Sequence, residues 1–227
     1  MSTHSARDLE QIYKQRFSGS EAYRTQIWSA LTSMVFSKWV APEHTVLDLG
    51  SGYCEFINNI SARVKFAMDL NPATSTQAAD DVKVILQDCS EPWPIQPDSL
   101  DIVFTSNFFE HLPDKSVLER IVRSAHRSLK TGGRLIALGP NVRHTSGAYW
   151  DFYDHYIPLT DLSVIELFQK CGFHIEHSWA QFLPYTMARG PRYPVWILKA
   201  YLMMPWVWRI FGQQFLVIGR KIERGES

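Results

Sequence analysis

The sequence predicts an α/β fold, a doubly wound and mostly parallel seven-stranded sheet with helices on both faces. Three observations carry that expectation. Short apolar runs without polar alternation recur along the chain with helical or loop segments between them, a glycine loop follows the first run, and the second run ends in a carboxylate. Runs of this kind suit strands covered on both sides, as parallel strands are. A chain of 227 residues is long enough for one full core with additions at its ends.

Residues 21–39 place Ile27, Leu31, Met34, Val35 and Trp39 on one helical stripe, which Pro42 terminates. Residues 1–42 therefore read as a helical segment ahead of a domain spanning 43–227. Five strand runs follow at 45–49, 64–70, 82–87, 100–106 and 134–140. Between the last two, Val117, Leu118, Ile121, Val122, Ala125 and Leu129 keep helical spacing, and Gly132-Gly133 read as the helix stop. After residue 140 comes an aromatic-rich insertion, "AYWDFYDHYIPLT". A helix from about Asp161 to Lys170 follows it, stopping near Gly172. The strands "FHIEHSWA" and "QFLVIGRK" complete the sheet. There is no internal repeat and no low-complexity tract.

Lys plus Arg and Asp plus Glu both number 23, so the formal charge of zero supplies no overall pull toward nucleic acid. The distribution is uneven. No acidic residue stands between His177 and Ile222, where Arg189, Arg192, Lys199, Arg209, Arg220 and Lys221 lie, while residues 1–176 carry 16 basic and 21 acidic groups. Cys54, Cys89 and Cys171 show no CxxC spacing and no zinc-type spacing to histidine, so they read as reduced, space-filling thiols, and no metal set is expected. The first twenty residues are polar without an apolar h-region, and no run of 18 apolar residues occurs. Neither a secretory signal nor a spanning helix is expected, and the protein is expected to face the cytoplasm.

The stretch "VLDLGSGYCEF" (46–56) has the strand, glycine loop, helix order in which a helix N-terminus and exposed backbone N–H groups meet a ligand. Gly50 and Gly52 permit close backbone approach. A dinucleotide loop reads G-x-G-x-x-G, yet Glu55 stands at the third position, and Asp48 at the strand end repels a pyrophosphate. The loop suits a cationic ligand.

S-adenosyl-L-methionine (SAM), with its sulfonium and ammonium groups, is such a ligand. Over Thr45–Pro140 the sequence resembles the class I SAM-dependent methyltransferases, particularly the branch with a type 11 core. The resemblance rests on "LDLGSGYCEF", "FAMDLNP", "LQDCSE", "FTSNFFEHLPD" and "LKTGGRLIALGPN", in that order. It implies a Rossmann-like fold with SAM as cofactor, and it assigns roles position by position. Asp48, Gly50 and Gly52 line the methionine end, Asp69 with Leu70 beside it receives the ribose hydroxyls, Asp88 and the Cys89 backbone N–H read the adenine edge, and Asn107 faces the methionine and the reactive methyl. Taken singly, Asp69 and Asp88 also fit turn or loop roles; their joint placement at consecutive strand ends favours the site. The family usually has a third glycine where this chain has Cys54.

Methyl transfer is an in-line displacement, so acceptor and methyl must be aligned, water excluded and, for a hydroxyl acceptor, a proton removed. Glu110 and His111 after the fourth run, and Asp151, Asp154 and His155 in the aromatic insertion, are the candidates. His155 is the expected general base, oriented by Asp151 or Asp154; the alternative is that it pins the insertion to a backbone carbonyl. His111 belongs to an E-H-L-P sequence at the start of a helix. Residues 141–160 are expected to form a lid over the acceptor. No N-P-P-Y motif for flipped-base amines follows strand four, where "SNFF" stands, so nucleic acid is not the expected acceptor.

The basic, apolar insertion at about 184–213 has three readings: a buried helix, a homodimer contact, or a membrane-surface contact through residues 189–213 at the inner membrane face. Together these readings predict transfer of the SAM methyl to a small or lipid/glycan-linked acceptor, at oxygen. The alternatives are a non-catalytic SAM-binding or scaffolding subunit, and a nicotinamide-dependent oxidoreductase, which Asp48 and Glu55 disfavour.

Overall fold

The computed structural model describes Gly19, residues 21–185 and residues 192–223. In chain order the elements are α1 Glu21–Met34, β1 Thr45–Leu49, α2 Glu55–Asn59, β2 Val64–Asp69, α3 Thr74–Gln77, β3 Val82–Leu86, β4 Leu100–Ser106, α4 Lys115–Ser128, β5 Leu129–Pro140, α5 Val142–Thr145, α6 Asp161–Lys170, β6 Phe173–Leu183, α7 Val195–Leu202, α8 Pro205–Phe211 and β7 Gln214–Lys221. Short 3-10 helices lie at Phe36–Lys38, Phe109–His111 and Ser146–Asp151.

The seven strands form one sheet in the order β3-β2-β1-β4-β5-β7-β6. β1 to β5 pair in parallel, and β7 runs antiparallel between β5 and β6. All five residues of β1 are buried, which is why this strand reads as a continuous run. The strand order reverses between β1 and β4, and in such sheets the crevice at that reversal, beyond the carboxyl ends of the strands, is where ligands bind.

One face of the sheet packs α4 and α6, with Leu118, Ile121, Val122, Val164 and Phe168 against Leu47, Val103 and Leu135. The other packs α1, α2, α7 and α8. There Phe104 of β4 stacks on Phe56 with centroids 3.6 Å apart, and Phe36 and Trp28 meet Phe104 edge-on at 4.9 and 6.0 Å. The stripe expected on α1 therefore packs into the same core as the sheet.

The Asp114 carboxylate caps α4, accepting from the Ser116 and Val117 N–H groups at 2.7 and 3.0 Å. At the other end the structure differs from expectation. α4 stops at Ser128, where Leu129 takes extended backbone, and the Gly132-Gly133 pair lies inside β5. Gly132 has φ +82°, and a Cβ on Gly133 would meet the Lys130 carbonyl at 2.9 Å and the Asp101 carbonyl at 3.1 Å. The pair bends the strand where its register with β4 shifts; it is not a helix stop.

The C-terminal insertion contains two short helices. Leu202, Val207 and Trp208 turn inward. The Trp208 Nε1–H donates to the Tyr201 carbonyl at 2.9 Å, and the Tyr201 hydroxyl donates to the Phe182 carbonyl at 2.6 Å, which fastens both helices to β6.

Candidate active site

The loop after β1 is built on left-handed backbone. Gly50 and Gly52 have φ +68° and +50°, and Cys54 follows at +61° as the cap of α2. The position where the family usually has a third glycine thus retains a glycine-like conformation in a cysteine, at a cost of about 1–2 kcal/mol. The Cys54 side chain is buried, and that burial pushes its thiol up to about 12, with nearby Asp48 adding to the effect. Gly52 is fixed from both sides: its N–H donates to Asp69 Oδ2 at 2.7 Å, and its carbonyl accepts from buried Thr74 Oγ1 at 2.8 Å. Thr74 was not singled out from sequence, because it stands 22 residues away.

Carboxylates converge on this loop. Burial pushes Asp48 well above the usual carboxylate range, and the charges of Asp69 and Glu55 push it further, while the Ile57 amide opposes them. Burial also raises Asp69, against hydrogen bonds from the Asn71, Gly52 and Leu70 amides. The Asn71 N–H lies 2.8 Å from Oδ1 and the Gly52 N–H 2.7 Å from Oδ2, so both Asp69 oxygens are held by main chain. Glu55 is raised by burial despite its ion pair with Arg24. Such a cluster resists its own negative charge, and a cationic ligand relieves it; the residues present therefore fit a sulfonium and ammonium donor.

The next strand ends carry the remaining expected donor residues. Asp88 Oδ1 accepts from the Ser90 N–H at 2.9 Å. Cys89 is buried behind the loop, and burial pushes its thiol well up against the Gly50 amide's opposing hydrogen bond. Asn107 is also left-handed, at φ +49°. Its N–H donates to the Leu138 carbonyl and its Nδ2 to Ser106 Oγ, both at 2.9 Å.

A second cluster lies on the segment after β4 and in the aromatic insertion. The Glu110 carbonyl accepts from the Tyr156 N–H at 2.8 Å and the Ile157 N–H at 3.3 Å, lashing the two segments together. His111 Nδ1 lies 2.9 Å from the Asp154 carbonyl and 3.1 Å from its Oδ2. Because a carbonyl only accepts, Nδ1 carries the hydrogen and Nε2 is left as the other functional atom. Burial lowers the His111 pKa, but the Asp154 hydrogen bond and the Glu110 charge outweigh it, and the net shift is upward. The His155 ring packs among Tyr149 at 4.6 Å, His111 at 4.9 Å and Phe152 at 5.0 Å.

The described carboxylate–imidazole contact joins Asp154 to His111, and Asp151 is exposed. The charge of His111 is felt at Asp69, so the two clusters adjoin. Although no metal set was expected, Glu110, His111 and His155 bring ligand-type atoms within 4.8 Å of one another. The insertion that carries His155 is closed at its base by the Val142 N–H on the Leu159 carbonyl, and buried Tyr149 donates its hydroxyl to the Ile157 carbonyl.

Further along the chain lies the outer face of α7 and α8. Trp196 and Trp206 are 68% and 67% exposed, and Met203, Ile210 and Phe211 are exposed with them. Lys199 and Arg209 are on the same helices, while Arg189 lies outside the described residues. The Tyr185 and Phe152 rings meet at 6.0 Å, and Gln213 Nε2 donates to the His144 carbonyl at 3.2 Å, so this region abuts the insertion. Among the described residues no helix is long and apolar enough to cross a membrane.

Residues 47–137 match the family described as Methyltransferase domain. Among solved structures, the chain is similar to one from the complex between the Haloferax volcanii Trm112 methyltransferase activator and a methyltransferase, at 18% identity and TM-score 0.69, covering 98% of this chain and 100% of that one. It is similar to a SAM-dependent methyltransferase from Archaeoglobus fulgidus at 18% identity and TM-score 0.67, covering 93% and 99%. A SAM-dependent methyltransferase from Thermotoga maritima follows at 17% identity and TM-score 0.65, covering 94% and 99%. No curated protein matches by sequence. The matched motifs, the sheet order and the carboxylate-ringed loop converge: residues 47–137 carry a methyltransferase domain, on the fold of SAM-dependent methyltransferases, and the cofactor this domain implies is SAM.

Proposed function

We propose that this enzyme methylates a hydroxyl oxygen of a lipid- or glycan-linked acceptor at an anionic membrane surface. The observation that carries this reading is the outer face of α7 and α8, where exposed Trp196, Met203, Trp206, Ile210 and Phe211 stand with Lys199 and Arg209 and with no acidic residue. Tryptophans at headgroup depth with basic neighbours are the composition of an interfacial helix. Because residues flanking these helices touch the aromatic insertion, a membrane docked on this face presents lipid-linked substrate toward the lid.

On the donor side, Asp48, Gly50 and Gly52 hold the methionine end, Asp69 and Leu70 the ribose, Asp88 and Cys89 the adenine, and Asn107 the region of the methyl. When bound, SAM supplies an electrophilic methyl; the acceptor oxygen gains it as the sulfur–carbon bond breaks, releasing a proton and neutral S-adenosylhomocysteine. The lid over 141–160 excludes water. His111 and His155 face the acceptor, and Asp154, one of the two carboxylates expected to orient an imidazole, sets the His111 tautomer.

Sedimentation with vesicles tests the reading. Each basic side chain near an anionic surface contributes about 1 kcal/mol, so Arg192, Lys199 and Arg209 together make binding to anionic vesicles roughly 100-fold tighter than to neutral ones. The expected result is pelleting with anionic vesicles at low salt and its loss in W196E/W206E. Protein that stays in the supernatant, or a dimer that the same variant dissociates, contradicts the proposal.

A further inference from the structure

We infer that Glu110, His111 and His155 form a binding site for a divalent first-row transition-metal ion, with Asp154 holding His111 from behind. The three side chains offer one carboxylate oxygen and two imidazole nitrogens, all within 4.8 Å of one another. A tetrahedral ion with ligands at about 2.1 Å spaces them about 3.4 Å apart, so each group moves by less than about 1 Å to close on it.

The site is held in place by main chain. Tyr156 and Ile157 N–H groups on the Glu110 carbonyl fix the two ligand-bearing segments against each other. Asp154 accepts the His111 Nδ1 hydrogen through both its carbonyl and its carboxylate, which leaves Nε2 as the nitrogen able to ligate. A carboxylate or carbonyl behind a ligating histidine is the usual support for a metal-binding imidazole. Glu110, Asp154 and His155 are buried, at 2%, 4% and 7% exposure, so a cation there meets two carboxylates in a water-poor setting.

The donor set selects the metal. Two imidazoles and one carboxylate suit Zn²⁺, Fe²⁺, Co²⁺ or Ni²⁺ and leave coordination positions open, whereas Mg²⁺ and Ca²⁺ favour oxygen alone. An ion with open positions lowers the pKa of a bound hydroxyl, so the acceptor loses its proton without an imidazole base. That catalytic consequence rests on the oxygen acceptor proposed above; the binding itself does not.

The full-length protein, stripped with chelator, is titrated with Co²⁺ and then Zn²⁺, with visible absorption and elemental analysis as readouts. The expected result is one Co²⁺ per chain, displaced by Zn²⁺, with affinity lowered at least about tenfold in Asp154→Asn and further in Glu110→Gln and His155→Gln. Circular dichroism and SAM calorimetry on the metal-free variants are expected to be unchanged. They read the fold and the donor site separately, so a failure here leaves methyl transfer standing. Co²⁺ binding that is absent, or equally strong in both Glu110→Gln and His155→Gln, overturns the inference.

Discussion

Gly50→Ala isolates the packing on which the donor loop depends. The backbone at Gly50 has φ +68°, and a Cβ there would come within 2.5 Å of Phe108 Cδ2 and 2.8 Å of Phe108 Cβ, where ordinary contact begins at 3.4 Å. Left-handed backbone in alanine costs about 1–2 kcal/mol. Displacing the Phe108 ring adds an overpacking cost of about 1–3 kcal/mol, so the total destabilisation is roughly 2–5 kcal/mol. Urea unfolding measures it through the midpoint and slope. Repeating the substitution in a Phe108→Ala background takes the ring out of the clash but keeps the 2.8 Å approach to its Cβ, so the loss falls below that in wild type while staying above the backbone cost of about 1–2 kcal/mol. A loss below about 1 kcal/mol, or the same loss in both backgrounds, refutes the reasoning.

The loop and helix starts supply further tests. Cys54→Gly relieves left-handed strain while removing a buried thiol, so its stability stays within about 1 kcal/mol of wild type, whereas Cys54→Val places a branched Cβ at φ +61° and loses at least about 2 kcal/mol in the same denaturation assay. Asp114→Ala removes the cap of α4 and lowers stability by about 1 kcal/mol, visible as a shifted urea midpoint. Asp48 has a folded-state pKa raised chiefly by burial, so its favourable contribution is complete below the ordinary carboxylate pKa and disappears as pH rises through the raised value. Ligand-free Asp48→Asn therefore loses that part of the decline in stability with rising pH and is more stable than wild type near neutrality; thermal melts across pH 4–8 that superimpose for the two proteins would count against this.

Much of the fold was legible because of where β1 to β4 sit. Strands buried on both faces admit few polar residues, so their runs stand out, and β1, α6 and β7 begin and end at the residues expected of them. β5 was not legible over 129–133. Its glycine pair has the local signature of a helix stop, and only the pairing of Leu129 with Leu100 and of Arg134 with Ile102 of β4 shows that the strand runs through it. The donor loop could be located because its carboxylate and glycines are neighbours in sequence. The contact between His111 and Asp154 spans 43 residues and depends on the Glu110 carbonyl capturing two amides of the insertion, which no local pattern encodes. The absent third glycine at Cys54 was visible as a departure, but its meaning required the φ angle.

Binding of SAM to the purified chain, compared with Asp48→Asn and with NAD, tests the central claim that the carboxylate-ringed loop holds a cationic donor. A unit charge within about 8 Å of a cation at an effective dielectric of about 20 contributes roughly 2 kcal/mol, or about 30-fold in affinity. Calorimetry at pH 8 is expected to show SAM bound by wild type, weakened at least about tenfold by Asp48→Asn, and no binding of NAD. Binding of NAD in preference to SAM, or an Asp48→Asn affinity for SAM equal to that of wild type, contradicts the account.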